Sequence, residues 1–221
     1  DAADVVKALL TAGASASTPN RYGITPLALA AENGNSSIVR QLLSAGANPN
    51  TATPEGETVL MVAARTGRSD VINQLLEAGA MVDATESWRG QTALMWAATE
   101  NNADAISQLL TAGADVEARS AGGLTPLLFA VREGQINAAQ ALIAGGADVN
   151  AGINNDTTST GSYEPASSGH TSPLVLAIVN AHFELGEVLL EAGADPNIPD
   201  QRGSGLHALA WVRRPGSGRP P

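Results

Sequence analysis

Two kinds of apolar block alternate along the chain. One is rich in branched residues: Ile38-Val39 precedes Leu42-Leu43, and Val71-Ile72 precedes Leu75-Leu76, so apolar side chains fall three and four positions apart. That spacing predicts a helix with one buried face. The closing pair returns at Leu109-Leu110 and Leu142-Ile143, and each of the four is followed by Gly-Ala, at Gly46-Ala47, Gly79-Ala80, Gly113-Ala114 and Gly146-Ala147. A glycine there, as at Gly193 in a later block, predicts a left-handed C-cap that a Cβ would resist. The other block is made of small residues, with the pairs Ala30-Ala31, Ala63-Ala64 and Ala97-Ala98 allowing close helix contact. Thr25, Thr58, Thr92 and Thr125 stand before these blocks as expected N-caps, and Pro26 and Pro126 suit N1, where no N–H is needed.

The two blocks keep one phase. Gly23-Ile24-Thr25-Pro26-Leu27 returns as Gly56-Glu57-Thr58-Val59-Leu60, Gly90-Gln91-Thr92-Ala93-Leu94 and Gly123-Leu124-Thr125-Pro126-Leu127, with the threonines stepping by 33, 34 and 33 residues. Two landmarks in register define a repeat. These residues resemble the ankyrin repeat, a turn followed by two antiparallel helices. The resemblance implies an all-α solenoid of antiparallel helix pairs joined by β-turn tips, in one array over residues 1–221. Full copies are expected over about 21–53, 54–86, 87–119 and 120–152, with a fifth over 169–200. A half copy is expected at each end, over 1–20 and 201–214, followed by a flexible tail at 215–221. The step before the fifth copy lengthens to 47, which predicts a polar loop inserted at about 153–171. The histidine usual after Thr-Pro-Leu is replaced by Ala28, Met61, Met95, Leu128 and Val175. The expectation is that a hydrogen-bonded ladder between units is lost and apolar packing takes its place.

Composition sharpens this picture. Of 221 residues 40 are alanine and seven aromatic, which suits thin, closely packed helices better than one thick core. A net charge of −10 speaks against nucleic acid, which requires a basic stripe. The arginines Arg202, Arg213, Arg214 and Arg219 gather near the end of the chain. No apolar run approaches the roughly 20 residues that span a bilayer, so no membrane insertion is expected, and no secretory leader is recognised at the start. With no cysteine there is no disulfide framework or thiolate chemistry.

Candidate chemistry is sparse. His170, His182 and His207 lack metal-ligand spacing. Asn48-Pro49-Asn50, Asp115-Val116-Glu117, Asp148-Val149-Asn150 and Asp195-Pro196-Asn197 lack the dense carboxylates of a calcium loop and are read as Asx turns. Gly203-Ser204-Gly205 is read as a turn rather than a nucleophile elbow. No catalytic, cofactor or metal site is expected. Two Asn-x-Ser/Thr triplets, at Asn35 and Asn155, count only in a chain that is glycosylated.

The resemblance implies a non-catalytic scaffold for another protein, binding through turn tips and a concave first-helix face. The variable positions carry over to Arg21, Tyr22, Ile24, Glu32 and Asn33 in the first full copy and to Glu55, Glu57, Arg65 and Thr66 in the second. They fall on Trp88, Arg89, Gln91, Thr99 and Glu100 in the third, and on Leu124, Arg132 and Glu133 in the fourth. Tyr22 and Trp88 are the candidate anchors, because aromatic and arginine side chains dominate interfaces. Trp96, Phe129 and Trp211 are expected in the core. The alternative is a structural subunit stacking head to tail, with Val5, Val6, Leu9 and Leu10 of one copy meeting Leu206, Leu209 and Trp211 of the next. The closing stretch from His207 to Pro215 resembles segments of bacterial ankyrin-repeat proteins, and the lysine-poor, Ser/Thr/Asn-rich composition suits export.

Overall fold

The computed structural model describes residues 2–153, 171–200 and 203–212. Twelve helices run through these residues. They are α1 (Ala2–Thr11), α2 (Pro26–Glu32), α3 (Ser36–Ser44), α4 (Val59–Thr66), α5 (Ser69–Glu77), α6 (Ala93–Thr99), α7 (Ala103–Thr111), α8 (Pro126–Glu133), α9 (Ile136–Ala144), α10 (Pro173–Val179), α11 (Phe183–Glu191) and α12 (Gly205–Val212). Among the described residues there is no strand, only isolated bridges such as Ala52 with Thr58. The fold is an all-α repeat solenoid. Each even-numbered helix from α2 to α10 packs on the helix that follows it and on the even-numbered helices to either side. The odd-numbered helices form a second row. The inserted segment, the tail, His170, Asn155 and the clustered arginines beyond 200 fall outside the described residues, as does the side chain of Trp211.

Local chemistry explains the helix boundaries. The hydroxyls of Thr25, Thr58, Thr92, Thr125 and Ser172 each accept the N–H three residues on, capping α2, α4, α6, α8 and α10. The second-row helices end in left-handed glycines, for example Gly46 at φ 87° and Gly113 at φ 90°. The four Asx turns form as read, with Asn50 N–H donating to Asn48 Oδ1 at 2.9 Å and Asn150 N–H to Asp148 Oδ1 at 2.8 Å.

The core is a ribbon along the helix pairs rather than a ball. Leu42, Leu75, Leu109 and Leu142 are buried in successive units, as are Leu27, Leu60, Leu94 and Leu127. Phe129 is in the core, as expected. Trp96 is half-buried and packs against the core from its edge. Burying a leucine in this ribbon contributes about 1.5–3 kcal/mol, shared between the partner helix of its own unit and the neighbouring units.

The expected loss of the inter-unit ladder is corrected. A ladder exists, carried by the N-cap residues of the second-row helices. Asn102 Nδ2 donates to the carbonyls of Ala64 (2.9 Å) and Arg65 (3.0 Å), and Gln135 Nε2 donates to that of Thr99 (2.9 Å). His182 Nε2 sits 3.2 Å from the Arg132 carbonyl. These reach carbonyls at the end of the preceding unit's first helix, where the intrahelical hydrogen-bond ladder runs out. Space for them comes from the residue before the preceding N-cap: a Cβ on Gly67 would stand 2.7 Å from Asn102, and one on Gly134 2.7 Å from His182. A second ladder joins the turns, where Asn50 Oδ1 accepts from Met81 N–H (2.7 Å) and Asp83 Oδ1 from Asp115 N–H (3.0 Å).

Candidate protein-binding surface

Two groups of residues emerge from the positions singled out in the sequence. Arg21 and Tyr22, Glu55, and Trp88 with Arg89 stand exposed on the tips of three successive units. Glu32, Asn33, Glu100, Arg132 and Glu133 are exposed at or near the ends of the first-row helices, with Arg65, Thr66 and Thr99 half-buried beside them. Ile24, Glu57 and Leu124 are half-buried between the two groups. Gln91 is corrected: it is only 7% exposed, drawn inward because its N–H donates to Glu86 and its carbonyl accepts from the Glu86 N–H. The Thr66 and Thr99 hydroxyls donate to carbonyls of their own helices, Val62 at 3.0 Å and Met95 at 2.9 Å.

Among the described residues arginine lies over an aromatic ring four times. Arg21 stands 4.6 Å from the Tyr22 centroid, Arg89 4.5 Å from Trp88, Arg132 4.9 Å from Phe129 and Arg65 5.9 Å from Trp96. Arg65 Nε also lies 3.7 Å from Glu57 Oε1, and Arg132 Nε donates to Glu133 Oε1 at 2.8 Å. The indole nitrogen of Trp96 is buried without a hydrogen bond.

Sequence reasoning missed Glu86. Its residue is buried, and its carboxylate accepts from the N–H groups of Trp88, Arg89 and Gln91. Burial raises its pKa, but the hydrogen bonds from Gln91, Trp88 and Arg89, with the Arg89 charge, outweigh that and leave it below its ordinary 4.5. The available signal was the 34-residue step into this unit, with a glutamate at the head of the longer tip. Leu29 was also missed; it is 42% exposed on α2, toward the end of the array.

At that end Val6, Leu9 and Leu10 of α1 face Leu29 and Ile38 across an open apolar groove of about 330 Å³. Val5 and Leu9 are exposed there, and Leu206 at the other end; Leu209 is half-buried. Among the described residues no three His, Asp or Glu gather as metal ligands, and no helix is long and apolar enough to cross a membrane.

A family model described as Ankyrin repeats (3 copies) matches residues 1–86 and 81–153, and one described as Ankyrin repeat matches 170–201. No curated protein matches the chain.

Proposed function

This chain belongs to the ankyrin-repeat family, and from that premise we propose that it is a non-catalytic scaffold holding another protein along its tips and the concave face made by its first-row helices. The reading is supported above all by Trp88, 78% exposed on a tip whose backbone is tied down by hydrogen bonds. A tryptophan left in water on a stiff loop gives the fold nothing, whereas a partner that covers it gains a large rigid contact at little entropic cost. In this reading the array has five full copies over about 21–53, 54–86, 87–119, 120–152 and 169–200, interrupted by a loop at 153–171. Photo-cross-linkers placed at Trp88, Glu100 and, on the second row, Arg40 test it. Adducts to another polypeptide are expected from the first two positions. Adducts confined to Arg40 would contradict it.

The groove beside α1 favours a second reading, in which a further copy docks there through its α12, which carries the exposed Leu206. Sedimentation over a wide concentration range tests this: growth that Leu9→Glu abolishes supports head-to-tail stacking, and a monomer at every concentration contradicts it.

A further inference from the structure

The third tip is built differently from its neighbours. Asn20, Thr53 and Ser120 each stand five residues before the capping threonine of their unit, and Glu86 stands six before Thr92. In the shorter tips a short side chain closes the turn: Asn20 Oδ1 accepts from Tyr22 (2.9 Å) and Ile24 (3.1 Å), Thr53 Oγ1 from Glu57 (3.3 Å) and Ser120 Oγ from Leu124 (3.2 Å). The added residue widens the third turn, and the longer glutamate spans it. Oε2 accepts from Trp88 at 2.6 Å, while Oε1 takes Arg89 at 2.8 Å and Gln91 at 3.0 Å. Ser87 N–H is held as well, by the Glu55 carbonyl of the previous tip at 2.9 Å. The surplus length is displayed outward as Trp88, with Arg89 stacked on its ring.

The first tip carries the same pairing in Arg21 and Tyr22. Among the described residues the ion pairs are Arg65–Glu57 and Arg132–Glu133, so neither tip guanidinium is held in a close ion pair there, although the buried Glu86 carboxylate, occupied by backbone N–H groups, feels the Arg89 charge. A guanidinium that lays its face on a ring keeps its edge donors for a carboxylate. Between the two pairs the second tip presents Glu55, and in the fourth, Ala121-Gly122-Gly123, the only charge is that of Arg119, whose Nη1 is engaged by the Gly123 (2.8 Å) and Gly152 (3.2 Å) carbonyls with no ring beneath it. The exposed side chains of the first three tips therefore read positive, negative, positive, on a body of net charge −10.

We propose that the first three tips form a preset clamp for an extended segment of a partner protein patterned acidic, basic, acidic, with Trp88 as its anchor and Glu86 as the positioning residue. This rests on the scaffold reading above and adds the partner's chemistry. Packed helices lie about 8–10 Å apart, which puts the two arginine–aromatic pairs about 20 Å apart. At about 3.3 Å per residue that separation takes roughly six residues of extended chain.

The test uses two synthetic peptides of about twelve residues in a Gly/Ser background: one with two glutamates six apart, a lysine midway and a leucine beside the second glutamate, the other with all charges reversed. Fluorescence polarisation against the full chain should show the first binding at least about tenfold tighter. Trp88→Ala should remove about tenfold of that affinity, and Arg21→Gln and Arg89→Gln each several-fold. Glu86→Gln should weaken binding with the helical circular dichroism unchanged. Should it disturb folding, Glu86→Asn with Ser87 deleted restores the spacing of the other tips. That variant should keep the wild-type melting temperature and still lose the preference. Equal binding of both peptides, or binding indifferent to Trp88→Ala, overturns the clamp. If binding instead disappears in Arg132→Ala, the clamp fails and the scaffold reading survives. If neither peptide binds and no cross-linked polypeptide forms at the tips or the first-helix row, both fail.

Discussion

Helices α1 and α4 contain similar proportions of apolar residues, yet they meet opposite fates. In α4 every residue from Val59 to Ala64 is buried, whereas α1 has no buried residue and exposes Val5 and Leu9 by more than half. The difference is position. Helix α4 lies against α2, α5 and α6, while among the described residues α1 packs chiefly on α3. An amphipathic pattern states only which face can be buried; a neighbour decides whether it is.

The comparison can be broken most sharply by equal truncations in unequal settings. Leu109→Ala, at a site with no exposure, should cost about 2–5 kcal/mol in denaturant unfolding. Leu9→Ala, 55% exposed, should stay within about 0.5 kcal/mol. Similar losses at the two sites would refute neighbour-dependent burial. Asn102→Ala should cost about 1–3 kcal/mol, because it strips the side-chain donor from the carbonyls of Ala64 and Arg65 and leaves Ala64 only the longer bond from the Gly67 N–H. A neutral result would show that apolar packing alone couples those units.

Ala181 offers a gain. It occupies a left-handed conformation at φ 62°, in the register where Gly34, Gly67 and Gly134 stand in other units. Asn101, at φ 59°, also departs from glycine there but accepts the Ala138 N–H at 2.9 Å in return. The methyl side chain of Ala181 cannot accept a hydrogen bond in return, so Ala181→Gly should stabilise by about 1 kcal/mol, read as a higher denaturant midpoint. The smallest effect is pH-dependent. Because the folded pKa of Glu86 lies below its ordinary 4.5, its contribution is fully present above that value and is lost as pH falls through the folded pKa. The melting-temperature gap between wild type and Glu86→Gln should hold at neutral pH and close in acid; a gap that widens in acid would contradict the carboxylate's role.

Much of the fold was legible because its signals are local. Thr25 and Thr125 cap within three residues, Gly46 and Gly79 turn the chain where they stand, and the leucine rows repeat at helical spacing. The ladder was not, because its bonds join residues 36 to 50 positions apart, as from Gln135 to Thr99, from Asn102 to Ala64 and from His182 to Arg132. The missing histidines after Thr-Pro-Leu pointed away from a ladder that other side chains had taken over. On the candidate surface, exposure at Tyr22 and Trp88 followed from their place on tips, but inward Gln91 did not, since only the fold shows Glu86 drawing that stretch of backbone toward itself.

Hydrogen exchange on the full chain tests most directly whether neighbours supply each unit's stability. Amides of α6, enclosed by α4, α7 and α8, should exchange slowest, and those of α1 fastest, with a gradient through α2 and α3 between them. Protection in α1 equal to that in α6 would contradict the account.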